Sequence, residues 1–309
     1  MHQDVAVQIR DLTKMIGNKP IVDGLSFDIP KGEVFGLLGP NGAGKTTTIR
    51  MIVGLISISR GDVLINGLDV KKNFKAAMQH VGAIVENPEM YKFLTGYQNL
   101  KHFAKMSKGV TRERIHEVVK QVGLEERIND KVKTYSLGMR QRLGLAQALL
   151  RKPDVIILDE PTNGLDPAGI RELRDYLREL ASQEGIAVIV SSHLLSEMEL
   201  MCDRVAIIQA GKLIDVRAIR DRAVDAAEAQ TFAIEVDNGL YAAEVLSTAF
   251  PKLTLKRVDN SIEIRVIRER VPDVVHALDA NGIRIYGVQA LNKSLEETFL
   301  EITGGASNV

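Results

Sequence analysis

The sequence predicts a layered α/β domain followed by a smaller α+β domain, and three observations carry that expectation. First, Val34–Leu38, Val155–Leu158 and 187–190 are short apolar runs bounded by turn residues, as in strands buried on both faces of a mostly parallel sheet. Second, residues 171–180 lie between the last two and set Leu173, Tyr176, Leu177 and Leu180 at helical spacing. Strand, helix, strand in that order is a crossover unit of a layered core. Third, the texture changes after about Val216, where shorter alternating runs replace the buried ones.

Length agrees. At roughly 150 residues per domain, 309 residues make about two domains. Hydrophobic residues are 45% and charged residues 26%, a globular balance that excludes long disorder. Forty Lys+Arg against forty Asp+Glu leave no net charge, so a nucleic-acid partner is not expected. A single cysteine, Cys202, excludes an internal disulfide and reads as a small buried hydrophobe. No apolar run approaches the ~18 residues of a membrane span, and Met1-His2-Gln3-Asp4 does not open a signal peptide. The expected chain is reduced, intracellular and soluble.

Element by element, residues 205–209 and 212–214 flank Ala210-Gly211 and read as a hairpin with a glycine turn. Residues 217–229 are charged and alanine-rich, a helical connector. Beyond them, 232–236 alternates, 240–249 is helical, and 253–258 and 262–266 flank the turn pair Asp259-Asn260. Then 271–278 is helical and 283–288 extended. The order β-α-β-β-α-β is that of a ferredoxin-like sandwich. It carries no chemical motif and reads as a structural or regulatory module. The expected domains are 1–218 (with a helical subdomain at about 87–150), a connector at 219–230, and 231–309.

The sharpest motif is Gly39-Pro40-Asn41-Gly42-Ala43-Gly44-Lys45-Thr46, a phosphate-loop pattern between the strand Val34–Leu38 and a helix over 46–55 that also takes in Thr47. Glycines let the backbone wrap an anion, and N–H groups at a helix N-terminus point at the β-phosphate. Lys45 supplies charge to the β/γ-phosphates and Thr46 a hydroxyl to Mg²⁺. A second motif, Val155–Leu158 followed by Asp159-Glu160, ends an apolar strand in two acids, which project into the ligand crevice of an α/β sheet. Asp159 is the expected metal residue and Glu160 the group that polarises an attacking water.

Tyr135-Ser136-Leu137-Gly138-Met139-Arg140-Gln141-Arg142, just before Asp159-Glu160, resembles the signature of ABC-type ATPases. Asn163-Gly164-Leu165-Asp166 resembles that family's D-loop, and His193 its switch histidine. The resemblance covers about residues 5–216 and implies a P-loop ABC ATPase cassette with a helical subdomain, binding ATP and Mg²⁺. It further implies that Ser136 and Gly138, at the start of a helix over 137–150, complete the site of a second protomer in a head-to-tail dimer. Catalysis would rest on Lys45, Glu160 and His193. Leu137 and Met139 replace the usual Gly and Gln without touching Ser136 or Gly138. Ile16 stands where the family usually stacks an aromatic on adenine, at a cost of roughly 1 kcal/mol of stacking.

Glu86, after a strand over 81–85, replaces the usual Q-loop glutamine and joins Thr46 and Asp159 as an expected metal ligand. An acid there resembles the ATPase subunits of bacitracin-resistance and lantibiotic-immunity exporters. Tyr91, Phe93, Tyr97 and Phe103 cluster just beyond it, and aromatics favour interfaces. The family implies that this region receives a separate transmembrane permease, with the chain peripheral on the inner face of the cell membrane and working in export. A soluble ABC ATPase acting on ribosome or DNA is the alternative. It is disfavoured by the single cassette, the absence of a coiled-coil insertion and the zero net charge.

Overall fold

The computed structural model describes residues 4–86, 88–107, 109–219, 230–251 and 253–290. It divides into two compact units, Met1–Arg220 and Asp221–Val309. In the first, β1 (Val5–Ile16) and β2 (Lys19–Pro30) are followed by β3 (Val34–Leu38), α1 (Lys45–Ile52), β4 (Arg60–Ile65), β5 (Leu68–Asp69), the single turn α2 (Phe74–Ala77) and β6 (Val81–Ile84). Three helices come next: α3 (Gly96–Lys105), α4 (Arg112–Gln121) and α5 (Leu137–Leu149). The unit closes with β7 (Val155–Leu158), α6 (Pro167–Glu184), β8 (Ala187–Ser192), α7 (Leu195–Met201), β9 (Arg204–Gln209) and β10 (Lys212–Ala218).

The buried apolar runs form one sheet of order β10-β9-β3-β8-β7-β6. Its pairings are parallel except β9 with β10, and every residue of β3, β7 and β8 is buried. A second sheet was not anticipated: β2-β1-β4-β5, wholly antiparallel. Its long strands hide their period, because the pairing of β1 with β2 slips between Ile9 and Leu12 and again before Lys14. Each slip resets the inward-outward alternation. One core joins the sheets, drawing Ile9, Leu12 and Val63 from one, Leu37, Ile157 and Ile189 from the other, and Ile49 from α1. Phe27 and Phe35 stack across it with centroids 5.5 Å apart, worth about 1 kcal/mol beyond their burial.

Helix starts follow local chemistry. Thr95 and Gln98 exchange the two bonds of a capping box at α3, while Thr111, Ser136 and Asp166 cap α4, α5 and α6. Each cap is worth ~1 kcal/mol. Cys202 is buried, as expected, beside Gly36, where an added Cβ would come within 2.9 Å of its sulfur. Among the described residues, no helix is long and apolar enough to cross a membrane.

One expectation is corrected here. Arg217 and Ala218 do not open a helical connector but finish β10, whose half-buried alternation continues through them against β9. Residues 220–229, the rest of that expected connector, lie outside the described residues.

The second unit runs β11 (Gln230–Val236), α8 (Gly239–Ala249), β12 (Thr254–Val258), β13 (Ser261–Val266), α9 (Val271–Ala280) and β14 (Ile285–Ala290). Its sheet is antiparallel, of order β12-β13-β11-β14. Phe232, Ile234, Ile262 and Ile264 meet Leu246 of α8 and Leu278 of α9 in a core of their own.

Candidate functional site

Strand register builds the site. Leu38 of β3 lies opposite Ser192 of β8, and Leu158 of β7 opposite Val190. The segments that follow, Gly39–Thr46, Asp159-Glu160 and Ser191–His193, therefore emerge at one carboxyl edge, where open α/β sheets hold ligands.

The loop after β3 is shaped by two glycines. A Cβ on Gly39 would stand 2.2 Å from the Ile208 carbonyl oxygen, and Gly44 sits at φ 107 as the N-cap of α1. Ala43 N donates to the Pro40 carbonyl at 3.1 Å, closing the loop. Pro40, Asn41 and Gly42 are exposed on its rim, Ala43 is buried, and Thr47 is half-buried in the first turn of α1. Lys45 is buried beneath the loop and donates to the Gly39 and Pro40 carbonyls at 2.8 and 3.3 Å.

The expected catalytic residues are together. Glu160 Oε1 lies 3.5 Å from Lys45 Nζ, and its Oε2 lies 2.9 Å from His193 Nδ1. A carboxylate only accepts, so Nδ1 carries the proton in that bond. Glu160 has φ 49, the left-handed region that an L-residue enters at a cost of roughly 1–2 kcal/mol. The surroundings hold it there: Glu160 N donates to Ser191 Oγ at 2.9 Å, and its carbonyl accepts from Asn163 N at 3.2 Å. Ser191 Oγ donates in turn to Asp159 Oδ1 at 2.6 Å. Ser191 was not singled out in the sequence. The only signal was its place at the end of an apolar strand, two residues before His193.

Thr46 Oγ1 and Asp159 Oδ1 are 3.2 Å apart. Among the described residues, no group of three or more His, Cys, Asp and Glu gathers to hold a metal. Two hard oxygens beside a phosphate loop suit Mg²⁺, which takes its remaining ligands from water and phosphate. Glu86 makes its contact elsewhere. It is exposed, sits at φ 68, and forms an ion pair with Arg50 at the end of α1. The physical reason is charge: an acid added to Asp159 and Glu160 is repelled, and the nearby guanidinium offers the opposite sign.

Ser136 Oγ accepts from Met139 N at 3.2 Å as the N-cap of α5. Tyr135 before it is buried, which pushes its phenol above the ordinary range, and its hydroxyl donates to the Arg127 carbonyl at 2.7 Å. A Cβ on Gly138 would lie 3.8 Å from Leu165, and one on Gly164 2.7 Å from Leu137. The segment Asn163–Asp166 is thus packed against the start of α5. No atom of the phosphate loop lies within 4 Å of a Cβ built on Gly138. Ile16 is 61% exposed at the end of β1.

Beyond the site, Tyr91 and Phe93 are exposed and meet edge to face at 5.8 Å. Tyr91 also meets His102 at 5.2 Å, and His102 meets Phe103 at 5.9 Å. Tyr97 pairs instead with His116 at 5.8 Å.

Comparison with known proteins supplies the family. Residues 22–163 match the family model described as "ABC transporter". The chain is 59% identical over 298 residues to an uncharacterized ABC transporter ATP-binding protein, YhcH, of Bacillus subtilis (strain 168), covering 96% of each chain. It is 34% identical over 305 residues to the bacitracin transport ATP-binding protein BcrA of Enterococcus faecalis, covering 99% of this chain and 98% of the relative. A solved ATP binding subunit of an ABC transporter superposes with a TM-score of 0.62 at 29% identity, covering 69% of this chain and 90% of that one. The alternative of a soluble ATPase working on ribosome or DNA finds no support among these proteins. The chain belongs to the ATP-binding proteins of ABC transporters.

Proposed function

We propose that this chain hydrolyses ATP, with Mg²⁺, to drive export of a peptide antibiotic or similar drug by a separate transmembrane permease. The observation that carries the reading is Glu160, held in a left-handed backbone conformation between Lys45 and His193. The bacitracin transport relative, matched over nearly its whole length, supports the substrate class.

In this mechanism Lys45 leaves its carbonyl partners for the β- and γ-phosphate oxygens and holds the terminal phosphorus in line. Mg²⁺ held by Thr46 and Asp159 supplies neutralisation of phosphate charge. Glu160 takes a proton from a water whose oxygen forms the new bond to the γ-phosphorus, while the bond to the β–γ bridging oxygen breaks and ADP leaves. His193 keeps the Glu160 carboxylate aimed. Ser136 and the N-terminus of α5 are an anion site facing outward, and two chains arranged head to tail would set that site against each other's γ-phosphate. The exposed Tyr91, Phe93 and His102, with the half-buried Phe103, then form the face that meets the permease, which would hold the chain on the inner side of the cell membrane.

The test of this reading runs through Glu86. To reach the metal its carboxylate must leave Arg50, and the segment beyond it leads to the aromatic face, so its movement would report nucleotide to the permease. Glu86→Gln is expected to keep ATP hydrolysis within a few-fold and to weaken drug resistance in cells that carry the chain with its permease. Both activities are measured on the same variant. Unchanged resistance would make the acid incidental and remove the support for an antibiotic exporter.

A second expectation concerns the C-terminal unit. Every residue in the mechanism lies between Gly39 and His193, so a chain ended before Thr231 should fold and keep basal hydrolysis. Circular dichroism and phosphate release check this together. A folded chain without hydrolysis would make that unit part of the working dimer.

A further inference from the structure

We infer that Glu197 is a positioning residue for hydrolysis, tying the segment after Glu160 to the segment before His193. The inference rests on the catalytic reading above and adds a residue that the reading does not use. Glu197 lies in the first turn of α7, and its Oε2 accepts two hydrogen bonds: from Thr162 Oγ1 at 2.7 Å and from Ser192 Oγ at 2.9 Å. Both donors are buried, Thr162 at 4% and Ser192 at 1% exposure. Thr162 is two residues past Glu160, and Ser192 is the residue before His193.

One carboxylate oxygen therefore adds a tie, beyond the paired strands, between two backbone segments that come from β7 and β8. Ser192 Oγ also accepts from Leu194 N at 3.0 Å, which closes the turn around His193 on both sides. Ser191 Oγ, two residues before His193, makes a separate tie to Glu160 N at 2.9 Å, and the His193 contact with Glu160 Oε2 spans 2.9 Å. A shift of about 1 Å between the segments would break that contact, and displacement on this scale costs on the order of a hundred-fold in rate. The phosphate loop is anchored separately, through Ala43, Gly44 and Gly211. Loss of the tether should thus slow turnover and spare ATP binding.

The experiment is a cycle of variants on the full chain: Glu197→Ala, His193→Ala and both together, with kcat and KM for ATP measured on each. Glu197→Ala is expected to lower kcat at least ten-fold with KM changed less than two-fold. Glu197→Gln, which keeps an acceptor oxygen, is expected to recover most of the rate. In the His193→Ala background, Glu197→Ala should change kcat less than two-fold, because the tether acts through that histidine. Should Glu197→Ala not fold, Thr162→Val and Ser192→Ala each remove one donor at nearly constant volume and are expected to show the same split between kcat and KM.

Wild-type turnover in Glu197→Ala, or in both of the donor variants, would overturn the tether. So would losses that multiply in the double variant, since they would mark a general structural role. If His193→Ala itself turns over at the wild-type rate, the catalytic assignment of His193 falls and the tether with it. A slow His193→Ala beside a fast Glu197→Ala sinks the tether alone.

Discussion

Glu160→Gln is expected to bind ATP as wild type does and to lose most hydrolysis, with kcat down by ~10²–10⁴, the range ascribed to a positioned general base. The amide keeps the length and shape of the side chain, so it can still meet His193 and the backbone bonds from Ser191 and Asn163 need not change. What it loses is a basic oxygen for the water proton. Because ATP binding survives while its consumption stops, the variant should accumulate as an ATP-bound dimer on size-exclusion chromatography. Calorimetry, phosphate release and elution volume check the three parts. Turnover at the wild-type rate would mean that another group is the base.

Lys45→Ala should fail one step earlier, at binding. The ammonium is buried, donates to the Gly39 and Pro40 carbonyls and lies 3.5 Å from Glu160. A charge-assisted bond to phosphate is worth about 1.5–3 kcal/mol, a ten- to hundred-fold loss of affinity. The variant also leaves two carbonyls without their donor and Glu160 without its ion-pair partner, so a small fall in stability is expected alongside. Calorimetry with a non-hydrolysable ATP analogue measures the first effect and thermal melting the second. Unchanged affinity would remove Lys45 from the phosphates.

These expectations start from residues legible in the sequence because they sit in contiguous motifs. The loop from Gly39 to Thr46 and the acids after β7 announce themselves by spacing. Even Ser136 is marked by the helix that it caps. The buried strands β3, β7 and β8 were legible because both faces are covered, so no alternation is needed to see them. The antiparallel sheet was not, because bulged pairing scrambles the period of β1. Contacts between residues distant in sequence were equally silent. Arg50 and Glu86 are 36 positions apart, Ser191 and Asp159 are 32 apart, and Glu197 and Thr162 are 35 apart. Arg50, Ser191, Thr162 and Glu197 are ordinary polar residues until the fold brings them to these partners. Glu86 shows another case: its type suggested a metal ligand, and nothing in the sequence marked Arg50 as its partner.

The central claim is that hydrolysis belongs to two chains, with Ser136 and Gly138 of one set against the phosphates held by the other. The measurement that tests it most directly is steady-state ATP hydrolysis per chain, at saturating ATP, across a hundred-fold range of concentration of the full-length protein. The account predicts that the rate per chain rises with concentration and levels off once the dimer is populated. A rate per chain that is finite and constant across the whole range, with the protein monomeric by sedimentation, would contradict it.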